Sequence, residues 1–86
     1  QLTGELDKAS TQFEHVLRIA PSNVNAHYNL GIIKQRQKDL DASDRQFKEV
    51  LKISPNDGQT LINLGRNLAL RGQFREAVPY YRQGLS

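Results

Sequence analysis

The sequence predicts an all-α fold, a solenoid of five helices arranged as antiparallel pairs. The main observation is an internal repeat, because Pro21 returns as Pro55 and, at the same spacing, the tripeptide Asn-Leu-Gly at 29–31 returns at 63–65. A fixed period of roughly 20 to 50 residues is typical of repeat proteins. Within each copy the apolar residues recur at intervals of three and four, which places them on one face of a helix.

In chain order the helices are predicted at 4–20, 22–37, 39–53, 58–71 and 73–85. The helix at 22–37, which is the first helix of the full repeat, has a capping residue and an internal glycine. It begins near Ser22 or Asn23, since either side chain can cap a helix N-terminus. Gly31 lies inside it, although glycine lowers helix stability by about 1 kcal/mol relative to alanine. Because Gly65 takes the same place in the next copy, we expect both glycines to allow close helix–helix packing.

The last three helices carry signals of their own. Asp39 or Asp41 places negative charge near the start of the third helix, where the helix dipole favours it. Gly72 follows the fourth helix, and we expect it to end that helix in a left-handed conformation. Pro79 lies near the first turns of the fifth helix, so we expect at most a slight bend.

These residues together resemble the tetratricopeptide repeat (TPR) family, whose unit is about 34 residues long. The residues that carry the resemblance are Leu30-Gly31, Leu64-Gly65, Ala9, Ala77, Phe13, Phe47, Tyr81, Pro21 and Pro55. Ser43 departs from the pattern, since it replaces the alanine of the second helix. The resemblance implies a right-handed superhelix, with the first helix of each repeat on the concave face.

The phase of the repeat divides the chain into three segments. Residues 1–21 are predicted to be the second helix of a truncated repeat, 22–55 a full repeat and 56–86 a nearly full repeat. A solenoid normally ends in capping elements with a polar outer face. Neither end of this sequence has the pattern of such a cap. We therefore interpret the chain as about two and a half repeats from a longer array.

Composition limits the classes of partner. The 86 residues include no cysteine, which excludes disulfides and thiolate metal sites and leaves the compartment open, with the cytoplasm slightly favoured. No apolar run is long enough to span a bilayer, so no membrane insertion is expected. The net charge of +3 favours acidic partners weakly. Basic residues alternate with acidic ones without an aromatic platform, so no nucleic-acid partner is expected.

The sequence contains no recognisable catalytic or cofactor-binding motif. His15 and His27 lie on different predicted helices, with no carboxylate or second histidine at metal-ligand spacing. A phosphate-binding glycine loop, a Gly-x-Ser-x-Gly motif and paired catalytic carboxylates are all lacking. We therefore predict that the chain is not an enzyme and that it requires no cofactor and no metal.

A polar stripe on the first-type helices is the candidate binding site. Its residues, predicted to bind a peptide on the concave face, are Asn25, Asn29, Ile32, Arg36, Gln59, Asn63 and Arg66. Asparagine offers both a donor and an acceptor, so a ladder of Asn29 and Asn63 would bind the backbone of an extended peptide. Arginines would then bind carboxylates or phosphates of the ligand.

This stripe resembles the asparagine ladder in the TPR superhelix of O-linked N-acetylglucosamine transferase, which it matches only at Asn29 and Asn63. The alternative interpretation is that both asparagines are solvated helix residues inherited through repeat duplication. A carboxylate clamp like that of chaperone-binding TPR domains is disfavoured, because Gln59 and Asn63 stand where that clamp has lysine and arginine.

Three functions of different classes follow. The first is a protein–protein interaction scaffold that binds an extended peptide or a partner helix on its concave face. The second is self-assembly, in which terminal apolar stripes pair end to end into a homo-oligomer. The residues of those stripes are Phe13, Val16, Leu17, Val78, Tyr81 and Leu85. The third is a substrate-recruiting accessory region of a larger enzyme.

Overall fold

The computed structural model describes residues 2–86, with side chains from residue 4 onward. Gln1, which begins the predicted segment 1–21, lies outside the described residues. Over 2–86 the chain forms five α-helices and no β-strand. They are α1 (Leu2–Ile19), α2 (Val24–Arg36), α3 (Leu40–Ile53), α4 (Gly58–Leu70) and α5 (Phe74–Leu85). The predicted all-α repeat fold is confirmed, and none of these helices is long and apolar enough to cross a membrane.

Side-chain caps set the beginnings of α2, α3 and α4. The carboxylate or amide oxygens of Asn23, Asp39 and Asp57 each accept a backbone N–H from the residue three positions later, at 2.9, 3.2 and 3.0 Å. Asn23 rather than Ser22 therefore caps α2, which begins two residues later than predicted. Asp39 caps α3 and Asp41 lies in its first turn, so both predicted carboxylates stand near the start of that helix. Each cap satisfies a backbone donor that the first helical turn leaves unpaired.

The ends of α2 and α4 share one hydrogen-bonded motif. The backbone N–H of Lys38 donates to the Gln35 carbonyl at 3.0 Å, and that of Gly72 donates to the Ala69 carbonyl at 2.9 Å. In both places the following residue donates further back into the helix, which completes a Schellman motif. The motif requires a positive φ, which is 81° at Gly72 and 64° at Lys38. The predicted left-handed cap at Gly72 is confirmed, and Lys38 adopts the same conformation without being glycine.

The core of the full repeat is built around Phe47. This ring is completely buried and lies against Gly31, where a Cβ atom would overlap it. In the next copy Tyr81 lies 3.1 Å from the place where a Cβ on Gly65 would stand. The expectation that both glycines allow close helix packing is therefore confirmed. The other buried apolar residues are Ala26, Leu30, Ile33, Ala42, Val50, Leu61, Leu64 and Ala77.

Candidate functional site: the groove between α2 and α4

The seven predicted peptide-binding residues lie on α2 and α4, and we call the surface they form the α2–α4 groove. The structure exposes four of them and half-buries two more. The exposed residues are Asn25, Arg36, Gln59 and Arg66; the half-buried ones are Asn29 and Ile32. Asn63 differs from the rest, because it is buried with 9% of its surface exposed.

Two cavities bring predicted residues of α2 and α4 together. The first, which we call the basic cavity, has a volume of about 510 Å³ and is lined by Gln35, Arg36, Lys38, Leu40, Arg66 and Leu70. The second, which we call the amide cavity, has a volume of about 410 Å³ and is lined by Val24, Asn25, Tyr28, Asp57 and Gln59. The basic cavity therefore joins Arg36 to Arg66, and the amide cavity joins Asn25 to Gln59.

Asn29 and Asn63 make the same bond within their own helices. The Asn29 Nδ2 donates to the Asn25 carbonyl at 2.8 Å, and the Asn63 Nδ2 donates to the Gln59 carbonyl at 2.9 Å. Among the described residues no donor reaches the Oδ1 of Asn29. That oxygen is therefore open to a ligand.

Asn63 is held in place by side chains of α2. Its Nδ2 also donates to the Tyr28 hydroxyl at 3.2 Å, and its Oδ1 accepts from the Gln35 Nε2 at 3.4 Å. Its two donors are both engaged inside the protein. Asn63 consequently lies at the floor of the groove, and the structure does not present it beside Asn29 as a second exposed amide.

Asn67 is a buried polar residue that sequence reasoning missed. It is fully buried, and its Nδ2 donates to the Ser43 hydroxyl at 3.0 Å and to the Asp44 carboxylate at 2.9 Å. Its Oδ1 accepts from the Gln35 Nε2 at 2.9 Å. The Ser43 hydroxyl in turn donates to the Gly31 carbonyl at 2.7 Å. We call these residues the Asn67 network, and it ties α2, α3 and α4 together.

A signal for this network was present in the repeat. Asn67 is the repeat equivalent of Ile33, a packing residue, and Ser43 is the repeat equivalent of Ala77. Both members of the bonded pair are thus polar where the neighbouring copy is apolar. A buried polar group requires a partner, so two such replacements in one chain indicate that they bond to each other.

Arg71 binds the two acidic side chains near the start of α3. Its Nη2 lies 2.8 Å from the Asp41 carboxylate and its Nη1 lies 2.9 Å from the Asp44 carboxylate. Burial lowers the pKa of Arg71, but the hydrogen bond that it donates to Asp41 and the negative charge of Asp44 raise it by more, so the pKa lies above its ordinary value. Arg71 therefore pairs with both carboxylates and offsets one of their two negative charges.

His27 is a buried residue that connects two elements. Its Nδ1 lies 2.8 Å from the Gln46 side-chain oxygen and its Nε2 lies 2.8 Å from the Pro21 carbonyl. With 8% of its surface exposed, it takes the place of a packing side chain between α2 and α3.

The residues predicted to self-associate are exposed to different degrees. Leu85 is 77% exposed and Val78 46% exposed. The other four are half-buried: Phe13, Val16, Leu17 and Tyr81. Phe74, which the prediction omitted, is 67% exposed and lies one turn before Val78 on α5. The predicted residues of α1 are therefore more covered than Val78 and Leu85 of α5, although Ile19 at the end of α1 is 73% exposed.

Family models match nearly the whole chain. A model described as tetratricopeptide repeat matches residues 22–86, and one described as TPR repeat matches residues 2–38. The chain belongs to the tetratricopeptide repeat family. Such repeats are typically non-catalytic interaction modules, and family and fold together support a protein-interaction scaffold in general.

Solved structures of the protein MamA share this fold. The crystal structure of MamA has a TM-score of 0.88 at 20% identity, over 94% of this chain and 47% of that chain. A MamA structure labelled MSR-1 has a TM-score of 0.86 at 24% identity, over 93% and 46%. One labelled AMB-1 has a TM-score of 0.85 at 24% identity, over 93% and 47%. The chain thus spans about half the length of the solved chains it matches. No curated protein matches it.

Proposed function

We propose that this chain is a non-catalytic interaction module that binds an extended peptide or a partner helix in the α2–α4 groove. The observation that carries the proposal is the presence of a cavity toward each end of α2, lined by residues of both α2 and α4. Asn25 and Arg36 are about three turns apart, or roughly 16 Å at about 1.5 Å per residue. An extended segment of about five residues spans that distance.

The groove offers different chemistry along its length. Asn25 and Gln59 expose amide groups in the amide cavity, and the free Oδ1 of Asn29 follows one turn later. Amides of this kind bind peptide N–H and C=O groups whatever the side chains are. Arg36 and Arg66 then supply charged donors in the basic cavity. We propose that the first set binds ligand backbone and the second binds acidic groups.

Removing the exposed amides tests this proposal. A peptide selected on the chain from a random library is titrated by calorimetry against wild type and against Asn29→Ala combined with Gln59→Ala. We expect about a thirtyfold loss of affinity, because two net hydrogen bonds of about 1 kcal/mol each are removed. The melting temperature should stay within about 2 °C, since surface substitutions usually change stability little.

Gln83→Ala is the matched control, because Gln83 is an exposed amide on α5, outside the groove. It should leave the affinity unchanged. Asn63→Ala is unsuitable as a binding test, since it would also remove the bond to the Tyr28 hydroxyl. Full affinity in the Asn29 and Gln59 double variant, or an equal loss in the control, would exclude the groove as the peptide site.

Self-assembly is the second candidate function, and the open apolar face of α5 favours it. Phe74 and Val78 are exposed on one side of that helix, and Leu85 follows near its end. Exposed apolar groups that lie together are commonly interaction sites. Under this alternative the partner is a second copy, and the contact lies on α5 instead of in the groove.

A further inference from the structure

We infer that the basic cavity is the subsite for an acidic segment of a partner protein, one that carries a large apolar side chain next to its carboxylates. This inference rests on the proposed function and specifies the chemistry of the ligand. It follows from the charges and the apolar lining of the cavity.

Three cations line the basic cavity: Arg36, Lys38 and Arg66. Over the part of the chain that the structure describes, none of their side chains forms a salt bridge or a hydrogen bond within the protein. Like charges gathered in a concave surface raise the local potential and attract a ligand of opposite charge. The cavity therefore favours an anionic group.

The carboxylates nearest in sequence are already engaged. Asp39 caps α3 by accepting from the Ala42 N–H at 3.2 Å. Asp41 and Asp44 bind Arg71. Over the described residues, none of these three carboxylates forms a salt bridge with Arg36, Lys38 or Arg66, so the cations of the cavity keep no ion-pair partner inside the protein.

The presence of Lys38 at its position points to a ligand as well. Its φ of 64° is a left-handed conformation, which costs a residue with a Cβ more than it costs glycine. Gly72 forms the same Schellman motif at the equivalent place in the next copy. The fold therefore does not require lysine there. The Schellman motif accounts for the conformation, and lysine in place of glycine adds a third cation to the lining of the cavity.

The cavity also has apolar walls and a size that suits a side chain. Leu40 and Leu70 line it together with the cations, and Leu70 is 57% exposed. A volume of about 510 Å³ lies within the range of ligand pockets and exceeds what a single ion fills. Arginine beside leucine matches a carboxylate beside an apolar group. The occupant is therefore an acidic peptide segment with a leucine-like or aromatic residue.

Fluorescence anisotropy with three matched peptides tests the inference. The probe is a short fluorescein-labelled peptide, amidated at its C-terminus, with Asp and Glu around a single leucine. One comparison peptide carries serine in place of the leucine, and the other carries Asn and Gln in place of the acids. We expect each replacement to weaken binding by about tenfold, since each removes interactions of about 1.4 kcal/mol.

Substitutions in the protein test whether the acidic probe binds in the basic cavity. Arg36→Gln with Arg66→Gln should weaken the acidic probe by about tenfold. Arg45→Gln with Arg75→Gln removes the same net charge from exposed positions outside the cavity, and it should change affinity by less than about twofold. Lys38→Gly should weaken the probe by about threefold while raising the melting temperature by roughly 4 °C.

The outcomes separate the inference from the proposed function. Equal losses in the two arginine pairs, or binding of single-stranded DNA as tight as that of the acidic probe, would mean attraction by net charge alone and would overturn the inference. If the neutral peptide binds as tightly as the acidic one, the inference fails and the groove remains a peptide site. If neither these peptides nor any library peptide binds, the proposed function fails as well.

Discussion

At Gly31 the backbone of α2 approaches the ring of Phe47 so closely that a methyl group would overlap it. Phe47 is fully buried and packs on Tyr28 with ring centroids 5.8 Å apart, so it has no free space to move into. Gly31→Ala is therefore expected to lower the free energy of unfolding by about 2 kcal/mol, although alanine favours the helix. Urea denaturation measures this change.

Gly65→Ala is the control for that substitution. The nearest atoms to its new Cβ would lie 3.1 Å away on the ring of Tyr81 and 3.2 Å away at the Cβ of Tyr80, and both tyrosines are only half-buried. A shift of α5 by a few tenths of an ångström should absorb the methyl group at a cost below about 1 kcal/mol. Equal costs at Gly31 and Gly65 would contradict the account of close packing against a rigid ring.

Individual residues were predictable where the repeat itself fixes their role. The Gly31 and Gly65 pair identified a close helix contact, and Gly72 identified a left-handed cap. Asn63 was not predictable in this way, although it is the repeat equivalent of Asn29. Its burial arises from Tyr28 and Gln35 of the preceding first helix. A periodic pattern describes each helix and does not specify which side chains of a neighbouring repeat will cover it.

At the scale of elements, the Asn67 network sets how α4 packs against α3. We expect Asn67→Ile to cost about 2 kcal/mol of unfolding free energy, because partners such as Ser43 lose a bond in a buried site. A double variant that also carries Ser43→Ala has the apolar residues of the other copies at both positions, since Ile33 is equivalent to Asn67 and Ala77 to Ser43. Replacing both bonded partners by apolar groups is far less costly than replacing one.

A double-mutant cycle measures this coupling by chemical denaturation. The Asn67→Ile and Ser43→Ala double variant should be more stable than the sum of the single effects predicts, by about 1 kcal/mol. Asn56→Ala serves as a control, since this asparagine is exposed in the turn before α4 and lies outside the network. Strict additivity of the two network substitutions would show that the bond between them does not hold the helices together.

The helix bounds could be predicted to within two residues because capping side chains and the apolar period both act locally. The contact between repeats was harder to predict from the sequence, since it combines residues from α2, α3 and α4. Its signal was the pair of polar replacements at Asn67 and Ser43, seen against the apolar residues of the other copies. Such a comparison identifies buried polar partners only once the repeat register is known.

At the scale of the whole molecule, residues of α2 and α4 together line an amide-rich cavity and a basic cavity. Of the residues that the repeat placed on one stripe, Arg36 and Arg66 line one cavity and Asn25 and Gln59 the other, whereas Asn63 is buried. The repeat did not predict the two cavities, because their shape depends on the separation between the helices. Nor did it identify Lys38 and Leu40, which reach the basic cavity from the turn and from α3.

The most direct test of the central claim is a chemical-shift map of the isotope-labelled chain titrated with a selected peptide. We predict that the largest changes in chemical shift fall on the backbone and side-chain amides of the groove, around Asn29, Gln59 and Arg66. The exposed face of α5 at Val78 and Leu85 should remain unchanged. Changes confined to that face, and reproduced by concentrating the chain without peptide, would contradict the claim and establish self-association in its place.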